Sequence, residues 1–267
     1  MAAGTTTDQI VLVDNGSSDG SVEALRQHYD MHLHIISNPR NVGFAPACNQ
    51  GIQYALVQGT EWVLLLNNDT LVASDFLDQI ERTLNQKYAI LGALIFYHAE
   101  PGRVWYLGDR LIPGTLITIN AYRGKPARVD LPELISVDFV NGCAMLIRRD
   151  VFEKIGLFDP TLIMYGEEVD FCWRARLAGY RIACATRFKV WHKISLSANR
   201  DRPKARYLRI RNQVRFYNTY AHGLQRPIMF LFSMLRSLTL MLGDIFHHQP
   251  ELISPLVRGW IDGWYAP

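Results

Sequence analysis

Two short acidic segments carry the residue types that could do chemistry in this chain. The sequence Asn-Asn-Asp at 67–69 directly follows the apolar run 62–66, and Glu167 and Glu168 stand just before the apolar stretch that starts at Phe171. A carboxylate at the end of a buried strand can hold a divalent cation against a diphosphate. A carboxylate at the start of a helix can accept a proton from an attacking hydroxyl group. The two segments together indicate transfer from a diphosphate donor to a hydroxyl acceptor.

Alternating strand and helix patterns position the first acidic segment. They predict strands over 9–13, 32–37 and 61–66, and helices over 22–29 and 46–58. This order predicts an α/β fold with a mostly parallel central sheet and right-handed crossovers. Ligands of such sheets bind at the carboxyl ends of strands, where Asp14 and Asp69 both lie. We expect an α/β domain over 1–200 and a helical segment over 201–267.

Composition narrows the class of protein. The chain has 267 residues, is 49% hydrophobic and 20% charged, and carries a formal net charge of +3. Its four cysteines show neither C-x-x-C spacing nor a disulfide-rich density, which predicts reduced thiols and no zinc site. The first residues lack the basic and apolar regions of a signal peptide. The sequence therefore predicts a cytoplasmic protein.

Seven motifs follow one another in a fixed order along residues 13–192. They are VDNGSSDGS at 13–21, Asn38-x-x-Asn41-x-Gly43-Phe44 with Asn49, Asn67-Asn68-Asp69, GCAMLIRR at 142–149, GLFD at 156–159, GEEVD at 166–170 and Trp191-His192. With these motifs the chain resembles the family 2 inverting glycosyltransferases, which have the GT-A fold, a Rossmann-like fold of nucleotide-diphospho-sugar transferases. Within that family it is similar to bacterial rhamnosyltransferase-like proteins of cell-wall and surface-polysaccharide assembly.

The resemblance implies a metal site. The segment 67–69 stands in the place of the family's D-x-D motif, so Asn67, Asn68 and Asp69 are expected to contact the donor phosphates, with Mg²⁺ or Mn²⁺ held by Asp69. Because Asp69 is the one charged residue of the triplet, a second ligand is needed, and the resemblance assigns it to His192. Two simpler interpretations stay open: a polar turn at 67–69, and a structural histidine beside Trp191.

The resemblance also implies a catalytic base. The family's general base falls on Glu168, whose carboxylate would take the proton of the acceptor hydroxyl in a single displacement with inversion. The alternative is that both glutamates favour the positive end of a helix dipole. Asp170 and Arg174, four residues apart, are predicted to form an intrahelical ion pair. The role of Glu167 stays open between acceptor and metal.

The donor nucleotide is expected to contact two loops. The resemblance assigns Asp14 to the pyrimidine base and Asn41 to the nucleotide, although an Asp-Asn-Gly sequence also forms turns in any protein. Family members normally begin with a further strand and helix, and the residues before Ile10 show no such pattern. An uncovered sheet edge and weak donor binding are therefore expected.

The last part of the chain differs in charge and pattern. Residues 200–226 carry eight Lys and Arg against one Asp, and the apolar segment that follows Pro227 has amphipathic spacing. Arg236 in its middle argues against a membrane-spanning helix. A peripheral contact with the inner face of the cell membrane and a packed helix or homodimer contact remain as equal alternatives. Nucleic-acid binding is excluded, because no known module is visible.

These observations predict an enzyme. We expect an inverting hexosyltransferase that moves a sugar, with dTDP-rhamnose as the donor, to a cell-surface glycan or its lipid-linked precursor. The alternative is a glycosyltransferase-like protein that has lost catalysis and acts as a binding or membrane-associated module.

Overall fold

The computed structural model describes residues 9–29, 33–84, 87–127, 130–193 and 201–265. Within these residues the chain forms two compact units. The first unit is built from residues up to 109, 120–163 and 167–193, and the second from 110–119, 164–166 and 201–265. The first eight residues, on which the prediction about the missing strand bears, lie outside the described part.

The first unit begins with a two-stranded segment that we call the N-terminal ribbon, residues 11–37. Strand β1 (Val11–Asp14), helix α1 (Ser21–Tyr29) and strand β2 (His34–Ser37) follow in order. The two strands pair in parallel, as a crossover through a helix requires. The strand, helix and strand predicted here are confirmed.

The other elements follow in chain order. They are α2 (Phe44–Val57), β3 (Trp62–Leu66), β4 (Thr70–Val72), α3 (Phe76–Thr83), β5 (Ile90–Tyr97), β6 (Val104–Tyr106), β7 (Arg110–Leu111), β8 (Thr118–Ile119), β9 (Leu134–Val137), β10 (Ala144–Arg148), α4 (Arg149–Ile155), α5 (Glu167–Leu177), β11 (Ile182–His192), α6 (Arg202–Tyr220), α7 (Gln225–Phe246) and α8 (Ile253–Tyr265). Strands β7 and β8 form a small antiparallel hairpin in the second unit.

The main sheet of the first unit is mixed rather than mostly parallel. Its strand order is β3-β10-β5-β11-β4, with β6 beside β5 and β9 beside β11. Strands β3, β5 and β11 run in the same direction, but β10 lies antiparallel between β3 and β5. The sequence did not predict this, because β10 is buried almost throughout and a continuous apolar run carries no sign of strand direction.

The core lies around β5 and β11. The first seven residues of β5 are buried, which is typical of a central strand covered on both faces. Side chains of β10 and helix α3 join this cluster, including Leu146, Phe76 and Ile80. The sequence predicted two separate strands over 181–191, whereas the structure has one strand, β11, with an irregularity between Ala185 and Lys189.

The second unit consists mainly of α6, α7 and α8. Asp201 begins α6 by accepting a hydrogen bond from the Lys204 amide at 3.0 Å. Helix α8 packs closely on α6 because Gly259 and Gly263 present no side chain there. A Cβ atom at Gly259 would lie 2.6 Å from the carbonyl oxygen of Tyr207. The helices predicted after residue 203 are confirmed.

Candidate active site

The predicted metal ligands Asp69 and His192 lie side by side. Strands β4 and β11 are antiparallel with Thr70 opposite His192, so Asp69, which precedes β4, comes next to the imidazole. The distance from Asp69 Oδ1 to His192 Nε2 is 3.0 Å. His192 is 7% exposed. The register of this strand pair therefore brings together two residues that are far apart in the sequence.

The surroundings of His192 favour its neutral form. Burial lowers the pKa of the imidazole below 6.5, and the charge and hydrogen bond of Asp69 only partly oppose this shift. The Trp105 ring lies 4.8 Å from the imidazole ring. Within the described residues, the buried Nδ1 atom of His192 has no hydrogen-bond partner. A neutral imidazole is the form that binds metal ions.

This pair fits a divalent cation. Carboxylate oxygen suits Mg²⁺ and Mn²⁺, and imidazole is a common transition-metal ligand. The described part of the chain contains no group of three or more His, Cys, Asp and Glu residues that could hold a metal ion. Asp69 and His192 would therefore supply two ligands, and the remaining ligands would come from a bound diphosphate and water.

The backbone of Asn67 fixes the turn that carries Asp69. Its amide donates to the Cys143 carbonyl at 2.9 Å, and its carbonyl accepts from the Thr70 hydroxyl at 2.5 Å. Asn68, the middle residue of the triplet, is exposed. The interpretation of 67–69 as a polar turn is thus compatible with the geometry, and the turn also aims Asp69 at His192.

The loop 141–143 connects the metal-side residues to the predicted base. Gly142 follows β9 and precedes β10, and a Cβ atom built on it would lie 3.8 Å from the Glu168 Cβ and 3.6 Å from the Phe44 ring. The carbonyl oxygen of the next residue, Cys143, accepts the hydrogen bond from the Asn67 amide. The structure therefore brings Glu168 and the metal-side turn to the same loop.

Glu167 and Glu168 lie in different environments although they are neighbours. Glu167 is 5% exposed, and burial, reinforced by the charge of Glu168, raises its pKa well above 4.5. Its Oε2 atom has no hydrogen-bond partner among the described residues. Glu168 is only half-buried. Burial thus favours the neutral form of Glu167, and Glu168 is the more exposed of the two carboxyl groups.

Helix α5, which carries both glutamates, is fixed at its other side. Arg174 Nε lies 2.7 Å from Asp170 Oδ2, so the predicted intrahelical pair is confirmed. The same guanidinium donates to the carbonyl oxygens of Ile155 and Leu157 at 2.7 and 2.9 Å. Arg174 thus ties α5 to the end of α4 and restricts movement of the Glu168 backbone.

The predicted donor residue Asp14 has a local structural role. It is 9% exposed, and its two carboxylate oxygens lie 3.2 and 3.3 Å from the Ser17 amide, which donates to them. This geometry is that of a turn-forming aspartate at the end of a strand. The base-binding role of Asp14 remains a prediction.

Asn41 and Asn15 join the two donor-side loops. Asn41 Oδ1 accepts hydrogen bonds from Asn15 Nδ2 at 3.1 Å and from the Gly43 amide at 2.9 Å. Asn15 Nδ2 also donates to the Gly43 carbonyl at 3.0 Å, and its Oδ1 accepts from the Val42 amide at 2.9 Å. The sequence carries no signal for this contact of Asn15, because an Asp-Asn-Gly segment forms turns in any protein.

Asp109 is a second residue that the sequence did not indicate. Burial raises the pKa of its carboxyl group to about 6, against hydrogen bonding from Tyr106 and Asn120 and the charge of Arg123. The pKa of Tyr106 is raised first by burial, next by Asp109 and, among smaller contributions, by Glu168. Tyr106 is therefore influenced by the charges of both Asp109 and Glu168. Its irregular sequence context, Leu-Gly-Asp, gave no signal for this position.

Solved structures identify the class of fold. A structure of GalNAc-T7 with UDP, GalNAc and Mn²⁺ has a TM-score of 0.58 at 16% identity, with 90% of this chain and 52% of that chain covered. The mannosyltransferase PcManGT from Pyrobaculum calidifontis, in complex with GDP-Man and Mn²⁺, has a TM-score of 0.56 at 13% identity, with 100% and 81% covered. The fold is that of the GT-A glycosyltransferases, as predicted.

The family follows from the sequence match. The profile of glycosyl transferase family 2 matches residues 3–156, which is more than half of the chain. The protein belongs to this family, and it is a glycosyltransferase by that membership.

Curated relatives are similar at modest identity. The chain is 28% identical to the low-salt glycan biosynthesis hexosyltransferase Agl10 of Haloferax volcanii, with 96% of this chain and 82% of that protein covered. It is 27% identical to the N-acetylglucosaminyl-diphospho-decaprenol L-rhamnosyltransferase of Mycobacterium tuberculosis (72% and 68% covered) and 23% identical to the dTDP-rhamnosyl transferase RfbF of Shigella flexneri (76% and 68% covered).

Proposed function

We propose that this glycosyltransferase transfers rhamnose from dTDP-rhamnose, with inversion and with a divalent cation, to a cell-surface glycan or its lipid-linked precursor. The observation that carries the proposal is the contact of Asp69 with His192, whose surroundings favour the neutral form, next to the loop 141–143 that lies close to Glu168. Two of the relatives named above act on rhamnose by their names, which supports the choice of sugar. The reaction takes place in the cytoplasm or at the inner face of the cell membrane.

Each residue has a defined part in this reaction. Asp69 and His192 would hold Mg²⁺ or Mn²⁺, and Asp14, Asn41, Asn67 and Asn68 would contact the donor. The cation, when bound, supplies positive charge against the leaving diphosphate.

Glu168 accepts the proton of the acceptor hydroxyl as that oxygen attacks the anomeric carbon. A single in-line displacement inverts the anomeric configuration, because the nucleophile enters opposite the leaving group. Burial and the charge of Glu168 raise the pKa of Glu167, which favours its neutral form, so that it donates a hydrogen bond rather than competing for this proton. The charge on the acceptor side therefore stays on one carboxylate.

The test is a set of nucleotide-sugar assays with and without metal. Purified protein is incubated with a lipid-linked glycan acceptor and with dTDP-rhamnose, a UDP-sugar or a GDP-sugar in turn, in Mn²⁺ or in excess chelator, and the product is analysed by NMR. We expect turnover with dTDP-rhamnose only in the presence of the cation, and a product with inverted configuration. A retained configuration would reject the single displacement.

Variants locate the metal. Asp69→Asn and His192→Ala should abolish or weaken the effect of Mn²⁺ on the binding of a nucleoside diphosphate, measured by calorimetry. Asp78→Asn, an exposed carboxylate on α3, is the matched control and should behave as the unaltered protein. If no nucleotide sugar is turned over and Mn²⁺ has no effect on nucleotide binding, the alternative of a non-catalytic glycosyltransferase-like protein replaces this proposal.

A further inference from the structure

Helix α7 of the second unit is packed with its polar side inward. Its buried residues are Met229, Ser233 and Asp244. Asp244 Oδ1 lies 2.7 Å from a guanidinium nitrogen of Arg206 on α6, and Ser233 Oγ accepts from Trp260 Nε1 on α8 at 3.0 Å. An amphipathic helix of a globular protein normally does the reverse. The Ser233 hydroxyl and one carboxylate oxygen of Asp244 thus have partners within the same unit.

The opposite side of α7 is apolar and exposed. Six aliphatic residues at alternating spacings of three and four lie on one side of the helix, each between 44 and 63% exposed: Ile228, Leu231, Leu235, Leu238, Leu242 and Ile245. Helical periodicity places residues at this spacing on one continuous stripe. A stripe of this length is larger than the scattered apolar residues of an ordinary surface and marks an interaction site.

Helix α6 lies antiparallel along the back of α7. Arg206 pairs with Asp244 near one end of α7, Gln213 with Arg236 in the middle, and Asn218 with Arg226 at the other end. Among the described residues, α7 is the helix that is long and apolar enough to cross a membrane. It cannot cross without carrying the cations of α6 into the hydrocarbon, which is costly. The geometry favours a helix that lies on a membrane.

Charge also favours a membrane surface. Residues 201–265 contain nine Lys and Arg against four Asp and Glu. The basic residues of a unit that presents an apolar helix face attract that unit to anionic lipid headgroups.

A second copy of the chain is a weaker candidate for the stripe. The same spacing occurs in coiled coils, whose flanking positions usually carry charges that select the partner. Here the flanking residues include Phe232, Met234, Met241 and Phe246. The apolar face is therefore broader than a coiled-coil seam and has no charged border, which fits lipid better than a partner helix.

We propose that α7 lies in the interface of an anionic membrane, with the stripe from Ile228 to Ile245 inserted between the headgroups and the acyl chains. This inference rests on the second unit alone and does not depend on the sugar or on the metal. It assigns to this unit the function of holding the enzyme on the surface where a lipid-linked acceptor resides.

Vesicle co-sedimentation tests the proposal. The full chain should sediment with vesicles that contain phosphatidylglycerol and should bind less to pure phosphatidylcholine. Added salt should weaken the binding to the anionic vesicles. Leu235→Gln combined with Leu238→Gln should lower partitioning on the order of tenfold or more, because two inserted side chains are lost. The control is Val57→Gln with Leu177→Gln, which alters two exposed apolar residues of the first unit. Thermal unfolding should show that both double variants remain folded.

Three results would overturn the proposal. The first is absence of binding to anionic vesicles at low salt. The second is a dimer in sedimentation velocity that Leu235→Gln with Leu238→Gln converts to monomer, which would assign the stripe to a second copy. The third is protein that resists alkaline carbonate extraction from membranes, which would mean that α7 spans the bilayer. Release by carbonate, with a monomer in solution, supports the interfacial position.

Discussion

The candidate active site is carried by two regions that are packed in different ways. The predicted metal and base residues lie on the main sheet and on α5. Most residues of the sheet strands β5 and β11 are buried. The donor-side loops lie on the N-terminal ribbon, where Asp14 is the only buried residue of β1, and α1 has no buried residue. One half of the site is therefore positioned by core packing and the other half by hydrogen bonds between loops.

The pairing of the strands adds to this difference, and the uncovered edge expected before Ile10 stays a prediction. Within the described residues, β1 pairs only with β2, and β3 pairs on one side only, with β10. Unpaired strand edges leave backbone donors and acceptors without partners. The ribbon is consequently the region whose local stability should be lowest, while the metal and base residues should keep their positions when it opens.

The largest expected effect is on catalysis, at the predicted base on α5. Glu168→Gln should lower kcat by about 10² to 10⁴-fold, the usual range for a general base, with little change in the KM of the donor. Steady-state kinetics with varied donor concentration measures both constants. A variant with full turnover, or one in which only KM rises, would move the base to another residue.

The packing of the core and of the N-terminal ribbon can be compared directly by shortening one leucine side chain in each. Leu91→Ala in β5 should cost about 2–5 kcal/mol of unfolding free energy, because it leaves a cavity in a fully packed strand. Leu12→Ala in half-buried β1 should cost less than about 1.5 kcal/mol. Urea unfolding gives both values. Equal costs would show that the ribbon is as well packed as the core.

The contact between the donor-side loops should affect donor binding. Asn15→Ala removes three hydrogen bonds between the loops and should raise the KM of the donor several-fold, corresponding to about 1–2 kcal/mol, with kcat nearly unchanged. Asn38→Ala is the matched control, because its paired hydrogen bonds with Gln50 do not join the two loops. An identical KM for both variants would argue against the role of Asn15.

The smallest effect concerns how the stability of the first unit depends on pH through Asp109. The pKa of Asp109 is raised from 3.8 to about 6, so folding favours its protonated form, and the associated stability is lost as pH rises through about 6. The full shift corresponds to about 3 kcal/mol, and solvent reduces it because Asp109 is only partly buried. The stability of Asp109→Asn relative to the unaltered protein should therefore rise by about 1–2 kcal/mol from about pH 4 to about pH 8. Urea unfolding at both pH values, with Asp78→Asn as control, measures the gain. A difference independent of pH would contradict the shift.

The sequence predicted the elements better than their arrangement. Strands and helices of the ribbon and the intrahelical Asp170 and Arg174 pair follow from local patterns, which the chain nearby determines. The antiparallel insertion of β10 does not follow, because its burial conceals its direction. Asn15 and Asp109 were missed for a related reason: their roles arise from loops and burial that only the folded chain creates.

The irregularity in β11 limits which deletions in this strand the protein can tolerate. Ala185 pairs with Ala93 and Lys189 with Leu94, so three residues of β11 are inserted between two neighbouring partners on β5. Successive strand residues point to opposite faces, and the loss of one residue here would reverse every later side chain. His192 would then point away from Asp69. Exposed Arg187 can be substituted, whereas Thr186 and Phe188 are buried, and a deletion of a single codon would separate the two predicted metal ligands.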